Sequence, residues 1–173
     1  GAATGVVEYA SILGPQRVEA GDVVLALASS GLHSNGYSLV RRVIAAAGWS
    51  LDRHVEEFGH TLGEELLTPT RVYAADLLSL IRTPGIDIHA LSHVTGGGLA
   101  ANLARVLPRG SYARVDRSTW TPPAVFEVIG ALGRVPRSDL ERPLTLGIGF
   151  VAAPPAAHAA AAEQVCRARG IPA

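Results

Sequence analysis

Ser29-Ser30-Gly31-Leu32-His33-Ser34-Asn35-Gly36 gathers hydroxyls, an imidazole, an amide and two glycines between a short apolar run, Asp22 to Ala28, and an amphipathic stretch opening near Tyr37. A strand that feeds such a loop into a helix presents unpaired backbone N–H groups at the positive end of the helix dipole, which suits phosphate. Glycine lets the backbone approach a ligand, and Ser30, Ser34 and Asn35 can aim hydrogen bonds at it. The wording is neither GxxxxGK[ST] nor GxGxxG, so neither nucleotide fingerprint applies. A purely structural use is equally open: Ser34 or Asn35 caps the helix, and Gly31 and Gly36 only turn the chain.

A second stretch repeats the logic. His93-Val94-Thr95-Gly96-Gly97-Gly98 runs into an apolar helical pattern containing Asn102. Consecutive glycines cost roughly 0.5–1 kcal/mol each relative to alanine in regular structure, so the cluster needs a reason. Close approach to a ligand is one, while Thr95 acting as a helix cap is the plainer alternative. His93 titrates near neutrality and can hydrogen-bond or transfer a proton. His89 and His93 stand four apart without the carboxylate of an HExxH pattern, so zinc is not expected. Cys166 sits in an alanine-rich helix with no base in view, and Asp116, Asp139 and Glu141 read as solvated loop charges. Trp120 and Phe126 read as anchors of the core or of an interdomain face.

The elements that would hold these loops alternate. Val6 to Ala10, Asp22 to Ala28, Ile86 to Leu91, Ser111 to Asp116 and Thr145 to Ala152 read as strands. Leu39, Val40, Val43, Ile44 and Ala47 share the face of a helix ended by Gly48. Residues 49–69 show no period. Thr70 can cap a helix to Ile81 with Val72, Ala75, Leu78 and Ile81 inward, and Leu99, Leu103, Val106 and Leu107 stripe another, stopped by Pro108. Pro122-Pro123 opens a helix burying Val125, Phe126, Ile129 and Leu132, and Ala156 to Arg169 forms the last. Alternation alone favours a parallel α/β fold.

Bulk properties narrow the class. The 173 residues are 48% hydrophobic with a formal net charge of +0, so a packed core is expected and a nucleic-acid arm is not. One cysteine excludes an internal disulfide and fits a reducing compartment, hence a cytoplasmic protein. No apolar run reaches the roughly 18 residues of a membrane span. The chain holds no methionine and opens at Gly1-Ala2-Ala3, which reads as a piece of a longer polypeptide.

Taken in order, several blocks resemble one family. They are Gly21-Asp22-Val23-Val24 leading into Ser29 to Arg41; Leu67-Thr68-Pro69-Thr70-Arg71-Val72-Tyr73; His89-Ala90 and His93 to Gly98; Asn102 with Arg105 to Pro108; Trp120 with Pro123, Val125 and Phe126; and Gly147-Ile148-Gly149. The chain is similar, over nearly its whole length, to the C-terminal domain of the aminoimidazole ribonucleotide synthetases, also called phosphoribosylformylglycinamidine cyclo-ligases.

The resemblance implies an α+β fold, a three-layer α/β/α arrangement with a mixed sheet, partly ferredoxin-like. It implies one domain over 1–173, the C-terminal half of a longer enzyme whose N-terminal ATP-binding domain is absent and whose final strands are cut short. The activity implied is ATP-dependent closure of formylglycinamidine ribonucleotide to aminoimidazole ribonucleotide. The formamide oxygen is phosphorylated, a nitrogen attacks, and phosphate leaves. ATP and Mg²⁺ are expected mainly on the missing domain, the full enzyme is expected as a homodimer, and the fragment alone as inactive. Ser30, Gly31, Ser34, Asn35, Gly36, Thr95, Gly96, Gly97, Gly98 and Asn102 are expected to bind substrate or phosphate, with His93 or His33 assisting proton transfer and no metal ligands. Arg142-Pro143-Leu144-Thr145 stands where the family tends to read arginine, threonine, an apolar residue and asparagine. Two rivals are another ATP-using enzyme of the same superfamily, against which the wording from His33 to Leu39 argues, and a binding module without chemistry.

Overall fold

Residue 2 and residues 4–173 are described in a computed structural model. The first apolar run becomes β1 (Leu25–Ala28), and α1 (Tyr37–Ala47) follows the glycine loop, bracketed by Gly36 and Gly48, both in the left-handed conformation. Val40, Val43 and Ile44 form its buried face, and Ala47 stays exposed. The aperiodic stretch after it contains a small hairpin, β2 (His54–Val55) with β3 (His60–Thr61), and α2 (Leu62–Leu66). A reciprocal Thr61–Glu64 capping box starts that helix. Elements of two to five residues are too short to show a period.

Then come α3 (Ala74–Arg82), β4 (Ala90–His93), α4 (Gly98–Ala104), α5 (Ala124–Gly133), α6 (Arg137–Leu140), β5 (Ile148–Ala153) and α7 (Ala156–Ala168). The main sheet has the order β1-β5-β4, with Ala152 opposite Leu25 on one side and Leu91 on the other. Leu25, Leu27 and Ala152 pack with Tyr73, Leu77 and Leu80 and with Ala162 and Cys166 of α7. Ile148 and Val151 pack with Val94 and with Leu103 of α4. A third cluster joins α1 to α5 through Phe126 and Ile129, with Leu62 and Leu144 against them. Trp120 packs beside the second cluster face and donates its indole N–H to Leu146 O at 2.9 Å.

Several sequence expectations change. Both ladders of the main sheet are antiparallel, so the sheet is neither parallel nor mixed. β1 and β4 run in the same direction, but β5 lies between them and opposes both, so no parallel ladder forms. Val6 to Ala10 is extended chain ending in a 3-10 turn at Tyr9–Ser11, with Val6 and Tyr9 exposed and no partner strand. Ser111 to Asp116 is irregular: Ala113 and Val115 pack against the sheet side chains without joining the ladder. The strand expected at Ile86 to Leu91 begins at Ala90. The α3 face is also different. Tyr73, Leu77 and Leu80 are buried, whereas Val72, Leu78 and Ile81 are exposed, because the helix carries two apolar stripes and the aromatic one meets α7. Its N-cap is Tyr73, not Thr70, and no side chain caps it.

What positions the two glycine loops is the segment 141–146. A Cβ on Gly98 (φ +69) would stand 1.8 Å from Glu141 O, and Gly97 N–H donates to Arg142 O at 2.8 Å. A Cβ on Gly36 (φ +75) would meet Leu144 Cδ2 at 2.2 Å and Pro143 O at 3.2 Å. Thr145, 1% exposed, donates its hydroxyl to Gly31 O at 3.4 Å. Both loops therefore lie against one strip of backbone. Gly98→Ala is expected to lower the unfolding free energy by more than about 2 kcal/mol, since strain at positive φ adds to a clash with an unyielding carbonyl. Gly96→Ala, with nothing within 4 Å of its Cβ, should stay within about 0.5 kcal/mol in the same urea melts. Phe126→Ala should cost about 3–5 kcal/mol, through lost transfer energy and the cavity it leaves.

Candidate functional site

The first loop is organised around His33. The residue is 4% exposed and left-handed (φ 56), and its Nε2 accepts the Ser30 backbone N–H at 3.1 Å. Nδ1 is buried with no hydrogen-bond partner. Gly149 makes room for the ring, since a Cβ there would lie 2.6 Å from His33 Cε1 and 2.0 Å from the Tyr73 hydroxyl oxygen. Tyr73 meets His33 edge-on, centroids 6.0 Å apart, and donates its hydroxyl to Ala28 O at 2.7 Å. Burial pushes the Tyr73 phenol up to about 12, so it is a donor near neutral pH. An unpartnered buried donor such as Nδ1–H costs about 1–3 kcal/mol, which the surrounding packing must offset.

Ser34 and Asn35 do not cap α1. Its N-cap is Gly36 without a side-chain bond; Leu39 N–H donates to Gly36 O at 3.0 Å, which leaves the Tyr37 and Ser38 N–H groups for another acceptor. Ser34 is exposed, its hydroxyl 3.2 Å from that of Thr70, and the Ser30 hydroxyl donates to Pro69 O at 2.7 Å. The Tyr37 hydroxyl donates to Leu66 O at 2.6 Å. The segment 66–70 thus frames one side of the loop. Gly31 is buried, its carbonyl engaged by Ser29 and Thr145.

In the second loop Thr95 is not the cap either; Gly97 is. Asn102 is 2% exposed and lies behind the loop, its amide donating to the carbonyls of Gly98 (2.8 Å), Thr95 (3.3 Å) and Gly96 (3.4 Å). It shapes the turn from within rather than facing outward. Gly96 and Gly97 are exposed. His93, at the end of β4, is also exposed, and its ring stacks on Phe150 at 5.3 Å and 13°. β5 is therefore the common floor: Gly149 under His33, Phe150 under His93.

The other candidates separate from this site. His89 is held between Asp22 (2.8 Å) and Asp87 (3.4 Å), and Arg17 pairs with Asp87 at 2.7 Å. Burial pushes the Cys166 thiol up, away from reactivity. Asp116 caps a 3-10 turn, and Glu141 pairs with Arg117. Among the described residues no group of three or more His, Cys, Asp or Glu stands close enough to hold a metal ion. Hollows of about 740 and 910 Å³ lie over the α4 face and beside β1, lined by neither His33 to Gly36 nor His93 to Gly98. The exposed members of the two loops are Ser34, His93, Gly96 and Gly97.

Sequence reading missed Tyr73, Gly149 and Thr145. An isolated glycine in a strand pattern signals close approach, and Tyr73 entered only as the last residue of a block that carries the resemblance, with no role given to it. Burial first, and the His93 imidazole second, hold the His33 ring below the ordinary imidazole value of 6.5. As pH falls below that value the unfolded chain takes up a proton that the folded ring resists, so His33 withdraws stability on acidification and contributes no pH dependence above it. Urea melts from neutral to mildly acidic pH should show His33→Leu with a shallower loss of stability than the parent chain.

Comparison with known proteins gives the family. Residues 19–173 match the family described as AIR synthase related protein, C-terminal domain. A putative phosphoribosylformylglycinamidine cyclo-ligase of Streptomyces fradiae is 59% identical over 148 residues, 84% of this chain and 80% of the relative. The phosphoribosylformylglycinamidine cyclo-ligase of Sorangium cellulosum is 48% identical over 153 residues, 88% of this chain and 44% of the relative. That of Anaeromyxobacter sp. is 44% identical over 172 residues, 99% of this chain and 49% of the relative. The chain spans about half the length of these last two relatives. It belongs to the AIR synthase related family, matching its C-terminal domain.

Proposed function

We propose that this chain is the C-terminal half of an ATP-dependent cyclo-ligase that closes formylglycinamidine ribonucleotide to aminoimidazole ribonucleotide in purine biosynthesis. The observation that carries the reading is the convergence of two glycine loops on the 141–146 strip, with His33 and His93 on adjacent residues of one strand floor. The uncapped α1 N-terminus with Ser34, Asn35 and Gly36 anchors the ribonucleotide phosphate. Thr95, Gly96, Gly97 and Gly98 approach the reacting end through backbone groups, held in shape by Asn102 from behind. Ser30 and Gly31 act through the frame they give His33. An imidazole at this site assists proton transfer as the ring nitrogen attacks.

Exposed Ser34, His93, Gly96 and Gly97 suit a site completed by another wall. That wall is the other half of the enzyme, which supplies most contacts to ATP and Mg²⁺ and without which this half is inactive. We read 1–173 as one domain of a homodimeric, cytoplasmic enzyme, with the three-layer, partly ferredoxin-like plan of its family.

The test is an amide NMR titration of this chain with formylglycinamidine ribonucleotide, then with ATP-Mg²⁺. Saturable shifts confined to residues 30–36 and 93–98 with the ribonucleotide are expected, and shifts elsewhere only would overturn the assignment. Asn35→Ala should weaken ribonucleotide binding about tenfold, the worth of one charge-assisted hydrogen bond, with the fold unchanged.

A further inference from the structure

His33 and His93 stand over neighbouring residues of β5, yet the structure gives their rings opposite freedoms. A backbone N–H can only donate, so the nitrogen it meets must offer a lone pair. Ser30 N–H points at His33 Nε2 at 3.1 Å, which leaves that nitrogen unprotonated and places the ring proton of the neutral imidazole on Nδ1. A second proton on the ring would set two N–H groups head to head across this contact. The ring is closely held where it is: Gly149 leaves the room that Cε1 occupies, Tyr73 meets the ring edge-on, and the residue sits at φ 56. The titratable side chains facing His33 are His93 from β4 and Tyr73 from the start of α3, and neither offers a carboxylate to stabilise an imidazolium.

His93 has none of these restraints. It is exposed, it stacks on Phe150, and its ring nitrogens make no hydrogen bond to any described residue. Nδ1 of His33, by contrast, is a buried donor with no partner in the protein.

Resting on the reading above, we propose that His33 is locked as the neutral Nδ1–H tautomer and serves the ribonucleotide as a hydrogen-bond donor to an acceptor oxygen, and that His93 is the imidazole that exchanges protons at this site. His33 cannot act as a base, because its one lone pair is already taken by Ser30. It belongs with the groups that recognise and polarise an oxygen, and its test must tell a donor from a packing residue.

The experiment is a long-range proton–nitrogen NMR spectrum of the histidine rings of this chain, followed from about pH 8 to about pH 5.5, the range across which ordinary imidazoles titrate. His33 should show a protonated Nδ1 and a bare Nε2 throughout, and a His93 ring that never exchanges its proton would overturn the role given to it. An Nε2–H tautomer, or an imidazolium at the acid end with the fold intact, overturns the proposal. Formylglycinamidine ribonucleotide is then added. A downfield move of the His33 Nδ1–H signal is expected, and loop shifts without it overturn the donor role alone. No shift anywhere, with the tautomer as expected, sinks the binding reading and the donor role with it, and leaves only the locked ring. His33→Asn keeps an amide at the δ position and should bind within about threefold of the parent, whereas His33→Gln and His33→Leu should lose about tenfold, the scale of one hydrogen bond. Equal losses in all three, at an unchanged fold, would also overturn the donor role.

Discussion

Everything at the candidate site depends on how closely the backbone of 141–146 approaches the two glycine loops. The approach is a steric fact before it is an energetic one: at Gly98 a single methyl group would occupy the position of the Glu141 carbonyl oxygen. Backbone contact at this range fixes position to a few tenths of an ångström, because neither partner has a rotamer to change. One loop follows β1 and the other follows β4, strands that do not touch each other. The 141–146 strip and the β5 strand it leads into couple them, above and below. Two separately disposable turns thereby become parts of one rigid surface.

The same closeness explains the chemistry that the site can hold. Packing β5 without side-chain bulk at Gly149 admits an imidazole and a phenol to the same spot, and the phenol ties β1 to the start of α3 through Ala28 O. Water is excluded from His33 as a result, and exclusion is what keeps its ring uncharged. His93, a residue away on the floor, keeps its solvent. Burial, the neighbouring imidazole and the Ser30 N–H set His33 apart from the exposed His93.

Much of this was legible in the sequence, and the failures have physical causes. The loops from Ser29 to Gly36 and from His93 to Gly98 announced themselves because glycine clusters are costly without a reason, and the strong helices α1, α5 and α7 followed their periods. The reason for two of those glycines proved to be contact with the chain itself, at Glu141 and Leu144, which no local pattern encodes. Asn102 looked like a ligand-facing amide and is a loop brace, because an amide with several donors and acceptors serves a buried turn as well as a ligand. The α3 face was misjudged because Tyr73-Leu77-Leu80 and Val72-Leu78-Ile81 are both apolar stripes, and only the presence of α7 decides between them. Val6 to Ala10 had strand composition but no neighbour to pair with. Alternation misled on strand direction, since it records the order of elements and not the place where the last strand inserts.

That place of insertion has a consequence in time. β5 is the middle strand of its sheet but follows both of its neighbours in the chain. During synthesis β1, β4 and both glycine loops leave the ribosome well before the strand and the strip that unite them. Until then α1 can pack on α5, but β1 and β4 must carry unpaired strand edges. Pairings this distant in sequence are slow to close. The site is thus assembled in a late, single event, and the waiting period is when this chain is most exposed to chaperones and to aggregation.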